Sequence, residues 1–370
     1  MHLRISQNAF LAALSRVGGV VETRTTMPIL ANVLIEADGD RASLFATDLE
    51  TSVQSGCPAH VKTPGRITLS AKRLLDILRE WNAEEIEIHA QEDGAVVLWS
   101  ERSHFRIASL PPETFPNPQA IEGGILLSLS AEILCGLIRK TLFASGGNDL
   151  RYILNGLLFD CEGEHISVVA ADGHRLAIVK ISLPGTDTGN LQVVIPKKAI
   201  SNTVHLLEEG IKGKWEGLPT LSLSKKQMTL QWGETLLISR AMDGTYPNYR
   251  NIIPAPPPQR VIFERDALIG ALSRVLLLAN ERTYAIQFCL ESGTLTLKSD
   301  AFDIGEATET LPTSYQGESL SVLFNARYLI DALNVQSTKE VALEFKDQAS
   351  PWIMRDEATH FLTLIMPMRT

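Results

Sequence analysis

A strand followed by an amphipathic helix occurs three times in this 370-residue chain, and no other feature constrains its fold as much. The three segments are LRISQNAFLAALSRV from Leu3, LSLSAEILCGLIRKT from Leu127 and VIFERDALIGALSRV from Val261. With Ser6, Ser130 and Glu264 in register, the apolar helix positions coincide: Phe10, Leu134 and Leu268, then Leu14, Ile138 and Leu272. A second strand-to-helix unit recurs downstream in each copy, as RITLSAKRLLDIL, VVIPKKAISNTVHLL and SVLFNARYLIDAL, with Ser70 and Asn325 placed to cap their helices. Alternating stretches such as VLIEADGDRASLFATD, LLFDCEGEHISVVAAD and CLESGTLTLKSD read as strand, turn and strand. The copies also end alike, each with a strand running into proline: HFRIASLPPETFPN, LLISRAMDGTYPNY and HFLTLIMPMRT.

The period is far longer than the roughly 20–50 residues of a solenoid, so the repeating unit is a whole domain. Each copy must bury one stripe on each of two helices and one face of its strands. Packing both helices on one side of antiparallel sheet satisfies both, which predicts an α+β layer architecture repeated three times. The expected domains are residues 1–120, 125–254 and 259–370. Pro116-Asn117-Pro118 through Gly124 forms one linker. The proline-dense Pro254-Ala255-Pro256-Pro257-Pro258 forms the other and should be stiff.

Hydrophobic residues make up 45% of the chain, enough for a core in each domain. No apolar run approaches the roughly 18 residues of a membrane span, and the first residues lack a signal peptide's pattern. A cytoplasmic location is therefore expected. Cys57, Cys135, Cys161 and Cys289 lie far apart with no C-x-x-C pair, which favours reduced, mostly buried thiols over a metal or redox site. Asp172 and His174 could suggest a metal pair or a general base, but no third ligand or nucleophile accompanies them. There is no G-x-G-x-x-G, P-loop or H-E-x-x-H motif, so the expectation is a non-catalytic protein without cofactor or metal.

The net charge is −9, which by itself argues against a nucleic-acid partner. The cations nevertheless concentrate on helices: Lys72, Arg73 and Arg79, then Arg139 and Lys140, Lys197 and Lys198, and Arg265, Arg274 and Arg327. Acids concentrate in strands and turns, as at Glu84, Glu85, Glu87, Glu306 and Glu309. If the helices of all three copies faced one way, that side would attract phosphate backbones without regard to sequence. On charge alone, ordinary solvated helix faces remain the favoured explanation.

Two motifs go further. Ala170-Ala171-Asp172-Gly173-His174-Arg175-Leu176-Ala177 resembles the A-T-D-G-H-R-L-A segment of bacterial sliding clamps, the DNA polymerase III beta subunits. Asp243-Gly244-Thr245-Tyr246-Pro247-Asn248-Tyr249-Arg250 resembles a second segment of that family, and Arg151-Tyr152-Ile153-Leu154-Asn155-Gly156 and Met366-Pro367-Met368-Arg369 also match. The resemblance runs essentially end to end. It implies a head-to-tail homodimer whose six domains close a ring around double-stranded DNA, holding it without sequence preference and making the replicative polymerase processive.

By the same resemblance, Arg24, Arg73, Asn148, Arg151, Lys197 and Lys198 face the DNA, while Phe105 and Ile107 of one chain meet Leu277 and Leu278 of the other. A partner-peptide pocket is implied at Leu154, Gly173, His174, Arg175, Leu176, Pro247, Ile252, Leu364, Met366, Pro367 and Met368, with Asn325 and Tyr328 on its rim. The residue types suit that role: Leu, Ile, Pro and Met make an adaptable apolar slot, and His174 and Arg175 offer hydrogen bonds. The implied partners are the polymerase III alpha subunit, the clamp loader delta subunit, translesion polymerases, mismatch-repair proteins and ligase. Ala171 in place of the usual threonine and Thr370 in place of the common terminal leucine imply a shifted peptide preference. The competing reading is a diverged clamp copy acting as a protein-interaction scaffold.

Overall fold

The structure, a computed structural model, describes residues 1–22, 25–116, 123–147, 151–301 and 305–369. The stretch 117–122 of the first linker, Arg24, Asn148 and Thr370 lie outside the described residues. Among the described residues there are six α-helices, two per repeat: α1 Gln7–Gly18, α2 Ala71–Glu80, α3 Ala131–Leu142, α4 Lys197–Gly213, α5 Arg265–Leu276 and α6 Ala326–Asn334. None is long and apolar enough to cross a membrane.

The repeat seen in the sequence is a repeat of buried stripes. α1 buries Phe10, Ala13, Leu14 and Val17; α5 buries Leu268, Ala271, Leu272 and Val275 at the same spacing. Each such fully buried aliphatic or aromatic side chain contributes about 1.5–3 kcal/mol. α1 packs on α2, and α5 on α6. The caps differ between copies. Glu264 accepts from the amides of Asp266 and Ala267, and Asn325 accepts from the amide of Arg327. Ser70 occupies the cap position of α2, but its side chain makes no capping hydrogen bond, so that helix start relies on packing of Ala71, Leu74 and Leu78.

The chain divides into two compact units, Met1–Cys135 with Lys198–Ala241, and Gly136–Lys197 with Met242–Thr370. In the first unit a 12-stranded antiparallel sheet runs from the edge strand Ser103–Ala108 to the edge strand Ile125–Ser128. Its hub is the 13-residue strand Thr51–Thr63. That strand pairs with His2–Ser6 through its C-terminal half and with Thr235–Arg240 through its N-terminal half.

The second unit contains an eight-stranded and a four-stranded sheet. The eight-stranded sheet is ordered Asn190–Pro196, Gly156–Glu162, His165–Ala171, Arg175–Ser182, Phe361–Ile365, Trp352–Asp356, Glu340–Phe345, Gln259–Glu264. The four-stranded sheet has Gly305–Pro312 and Leu320–Asn325 at its edges. The unit boundary therefore falls inside the central repeat, whose strands are shared between the sheets of the first and the last.

Cys57, Cys135 and Cys161 are buried and Cys289 is half-buried, all as free thiols. Burial raises the pKa of Cys57 and of Cys161 to about 11, which keeps both protonated and unreactive near neutral pH. Among the described residues, no group of three His, Cys, Asp or Glu is arranged to hold a metal ion.

Candidate functional site

The second unit brings the expected peptide-pocket residues onto one face of its eight-stranded sheet. Ala171 pairs with Leu176, Leu176 with Leu364 and Leu364 with Ile353, so four side chains form one row across four strands. Leu154 and Tyr246 are buried in the same apolar cluster, and Met366 packs against it half-buried. Pro247 and Ile252 stand exposed, Ile252 at 44%. The outcome is an apolar floor beside exposed apolar side chains, the combination a short peptide can use.

The turn between strands His165–Ala171 and Arg175–Ser182 is locked by Asp172. Its Oδ1 accepts from the amides of His174 (2.9 Å) and Arg175 (3.0 Å), and its Oδ2 accepts from Arg175 Nε (3.0 Å). Arg151 donates to the Asp172 carbonyl at 3.1 Å. Gly173 is favoured by its backbone conformation, and an added side chain would also displace Arg151. Its φ is +85°, and a Cβ there would come within 2.2 Å of the Arg151 guanidinium.

Arg175 does not point freely at a ligand. Besides Asp172, its Nη1 donates to Asp331 of α6 at 2.7 Å, and the guanidinium lies 4.3 Å from the Tyr328 ring centroid. Its side chain is 11% exposed. Nε and Nη1, two of the donors that sequence reasoning assigned to a peptide, instead tie the turn to α6. His174 is exposed and stacks on Tyr328 at 6.2 Å. Burial, then the Asp172 carboxylate, pushes the Tyr328 hydroxyl above its ordinary pKa, so it remains a neutral donor. Asn325 uses its side-chain oxygen to cap α6.

The C-terminal segment closes the site. After strand Phe361–Ile365 the Met366 amide donates to the His174 carbonyl at 2.8 Å, and the Met368 amide to the Leu323 carbonyl at 2.8 Å. Residues 366–368 thus run from the eight-stranded to the four-stranded sheet with alternate amides anchored. Sequence reasoning missed Tyr246, Ile353 and Asp331 as site residues. Tyr246 lay inside a motif already noticed and Asp331 inside the repeated helix unit SVLFNARYLIDAL, but nothing local marked either as part of the slot, and Ile353 comes from a segment with no local signal.

The expected DNA-facing residues meet different fates. Arg73 is exposed on α2. Lys198 donates to Glu22 (3.1 Å), Asp48 and the Val20 carbonyl (3.3 Å) within the first unit. In the second unit Lys197 donates to the Ser145 carbonyl at 3.1 Å, and its pKa is lowered by burial and then by the nearby Arg175 charge. Arg151 is exposed but engages Asp172. The cations of the third repeat are also engaged: Arg265 pairs with Asp266, Arg274 with Glu309, and Arg327 lies over the Tyr284 ring.

At the expected subunit contact, Phe105 and Ile107 lie half-buried on the edge strand Ser103–Ala108, Phe105 meeting Trp81 edge-on at 4.8 Å. Leu277, just past α5, is 79% exposed, and Leu278 is half-buried.

Family comparisons cover the whole chain. The DNA polymerase III beta subunit N-terminal domain matches residues 1–119, the central domain residues 128–248 and the C-terminal domain residues 250–369. The beta sliding clamp of Pseudomonas putida is 34% identical, with all of both chains covered. The crystal structure of the Pseudomonas aeruginosa DNA polymerase III subunit beta superposes with a TM-score of 0.91 at 32% identity, and that of a Bartonella birtlesii sliding clamp bound to griselimycin with 0.94 at 33%, each covering 100% of both chains. Fold and matches together define a protein of three clamp-type domains. The chain belongs to the DNA polymerase III beta subunit family.

Proposed function

We propose that this chain is a DNA sliding clamp serving DNA polymerase III; the observation that carries the reading is its end-to-end membership of the beta subunit family. Two copies close head to tail around duplex DNA, each contributing domains 1–120, 125–254 and 259–370. The edge strand Ser103–Ala108 of one copy meets the edge strand Gly305–Pro312 of the other. Both present unpaired backbone groups, and the highly exposed Leu277 lies just past α5, which packs on Gly305–Pro312. Retention on DNA follows from topology, so contact with phosphates can stay weak enough to permit sliding. The role is tethering, without turnover, in the cytoplasm.

The slot between Leu176, Leu364, Met366, Pro247 and Ile252 takes short segments of partner proteins: the polymerase alpha subunit, the clamp loader delta subunit and repair proteins. Its support is the buried apolar floor, the exposed His174 and the hydrogen-bonded turn at Asp172. Primer extension on a singly primed circular template, with the cognate polymerase and loader, tests the proposal. Long products that depend on this chain are expected; product lengths unchanged by its addition would refute the function.

A further inference from the structure

The row of Leu158, Val169 and Ile178 lies next to the slot floor on the same sheet face, and beyond it the face turns polar, with Asp160 paired to Ser167 and Ser167 to Lys180. Asp160 is four residues along its strand from the floor row, about 13 Å at roughly 3.3 Å per residue. It is 3% exposed, yet it is a carboxylate. A buried charge persists only where partners satisfy it. Here Oδ2 accepts from Tyr249 Oη at 2.7 Å and from Arg250 Nη2 at 2.9 Å, and Oδ1 accepts from Gln192 at 3.1 Å. Arg250 also reaches Glu162 at 3.0 Å.

Tyr249 and Arg250 open the 3₁₀ turn Tyr249–Ile252, which follows Pro247 directly through Asn248 and ends on Ile252. The segment is held at its other end by the Met242 amide, which donates to the Val194 carbonyl at 2.8 Å. Between these two anchors Pro247 stands exposed, and just past the second Ile252 does too.

We infer that Asp160 is a positioning residue for partner binding: by latching Tyr249 and Arg250 from the far end of the sheet, it fixes the lip of the slot that carries Pro247 and Ile252. The inference rests on the slot being the partner site. It accounts for a buried carboxylate placed away from any ligand contact, and for an arginine that crosses exposed surface to reach it. Loss of the latch leaves the floor intact and lets the lip fluctuate, so binding weakens through preorganisation.

The test uses the full-length dimer and a synthetic peptide copied from the tail of the cognate polymerase III alpha subunit. Asp160→Ala is expected to weaken the peptide about tenfold, and Tyr249→Phe, which removes only the hydroxyl and guards against a folding defect, about threefold. In an Ile252→Ala background both losses should shrink to below about twofold, because the latch acts through that lip. Amide hydrogen exchange of the free protein should quicken at residues 248–253 and stay unchanged at Leu176 and Leu364. Undiminished affinity in both single variants, or full losses that persist in the Ile252→Ala background, would overturn the inference. If Ile252→Ala alone leaves the peptide unaffected, the slot assignment fails. The latch is then judged by exchange: quickening at 248–253 upholds it, and no change rejects it.

Discussion

The slot around Leu176 and the cationic helix face around Arg73 hold their key side chains in opposite ways. At the slot several polar neighbours are tied down: Asp172 organises the turn, Arg175 bolts it to α6, and the Met366 and Met368 amides are anchored. Arg73, by contrast, stands exposed. Recognition of a short peptide gains from a surface ordered before binding, since ordering costs are then already met. A surface that must let DNA slide gains from charges that can move with the phosphates. Lys198 breaks the pattern, because Glu22 and Asp48 already neutralise it. The comparison teaches that a cation's place on a helix does not make it a phosphate ligand; its neighbours decide.

Removing residues 366–370 attacks the slot most directly. Peptide affinity should fall by more than about a hundredfold, since one wall and its anchored amides vanish, while sedimentation still reports the dimer. Leu277→Lys bears on neither surface and serves as a control. It should bury an unpaired charge at the proposed subunit contact, costing about 3–5 kcal/mol, and sedimentation should show monomers.

Arg175→Ala tests whether that residue is a bolt. It leaves the Asp172 and Asp331 carboxylates without their shared partner, at a cost of about 2–3 kcal/mol. Differential scanning calorimetry should show the unit that contains it melting lower, and Arg175→Lys should not restore it, because one ammonium cannot reproduce two directed guanidinium contacts. The smallest expected effects lie on the proposed DNA-facing side. Arg73→Ala should reduce the slope of log affinity against log salt by about one, and Lys198→Ala by clearly less. Equal slopes would erase the contrast drawn between the two cations.

Much of this was legible in the sequence. The six helices follow from apolar spacing, since Phe10, Leu14, Leu268 and Leu272 mark the buried stripes that form. The segment around Gly173 was legible as a motif, and the structure gives the reason for its glycine, a φ of +85°. Other parts were not. Pairing of Thr235–Arg240 with Thr51–Thr63 joins strands far apart in sequence, and nothing in either segment names the other as its partner. Asp331 and Ile353 reach the slot only because folding brings the third repeat to the Asp172 turn. Ser70 carried a capping signal with no capping bond behind it: a residue type permits that contact without compelling it.

The most direct test of the central claim is retention on DNA of defined topology. The chain is loaded by its clamp loader onto nicked circular plasmid, freed of unbound protein by gel filtration, and the plasmid is then cut once. A sliding clamp stays with the circle and leaves within minutes of linearisation, with little dependence on sequence. Equal retention on circular and linear DNA, or no retention on the circle, would contradict the account.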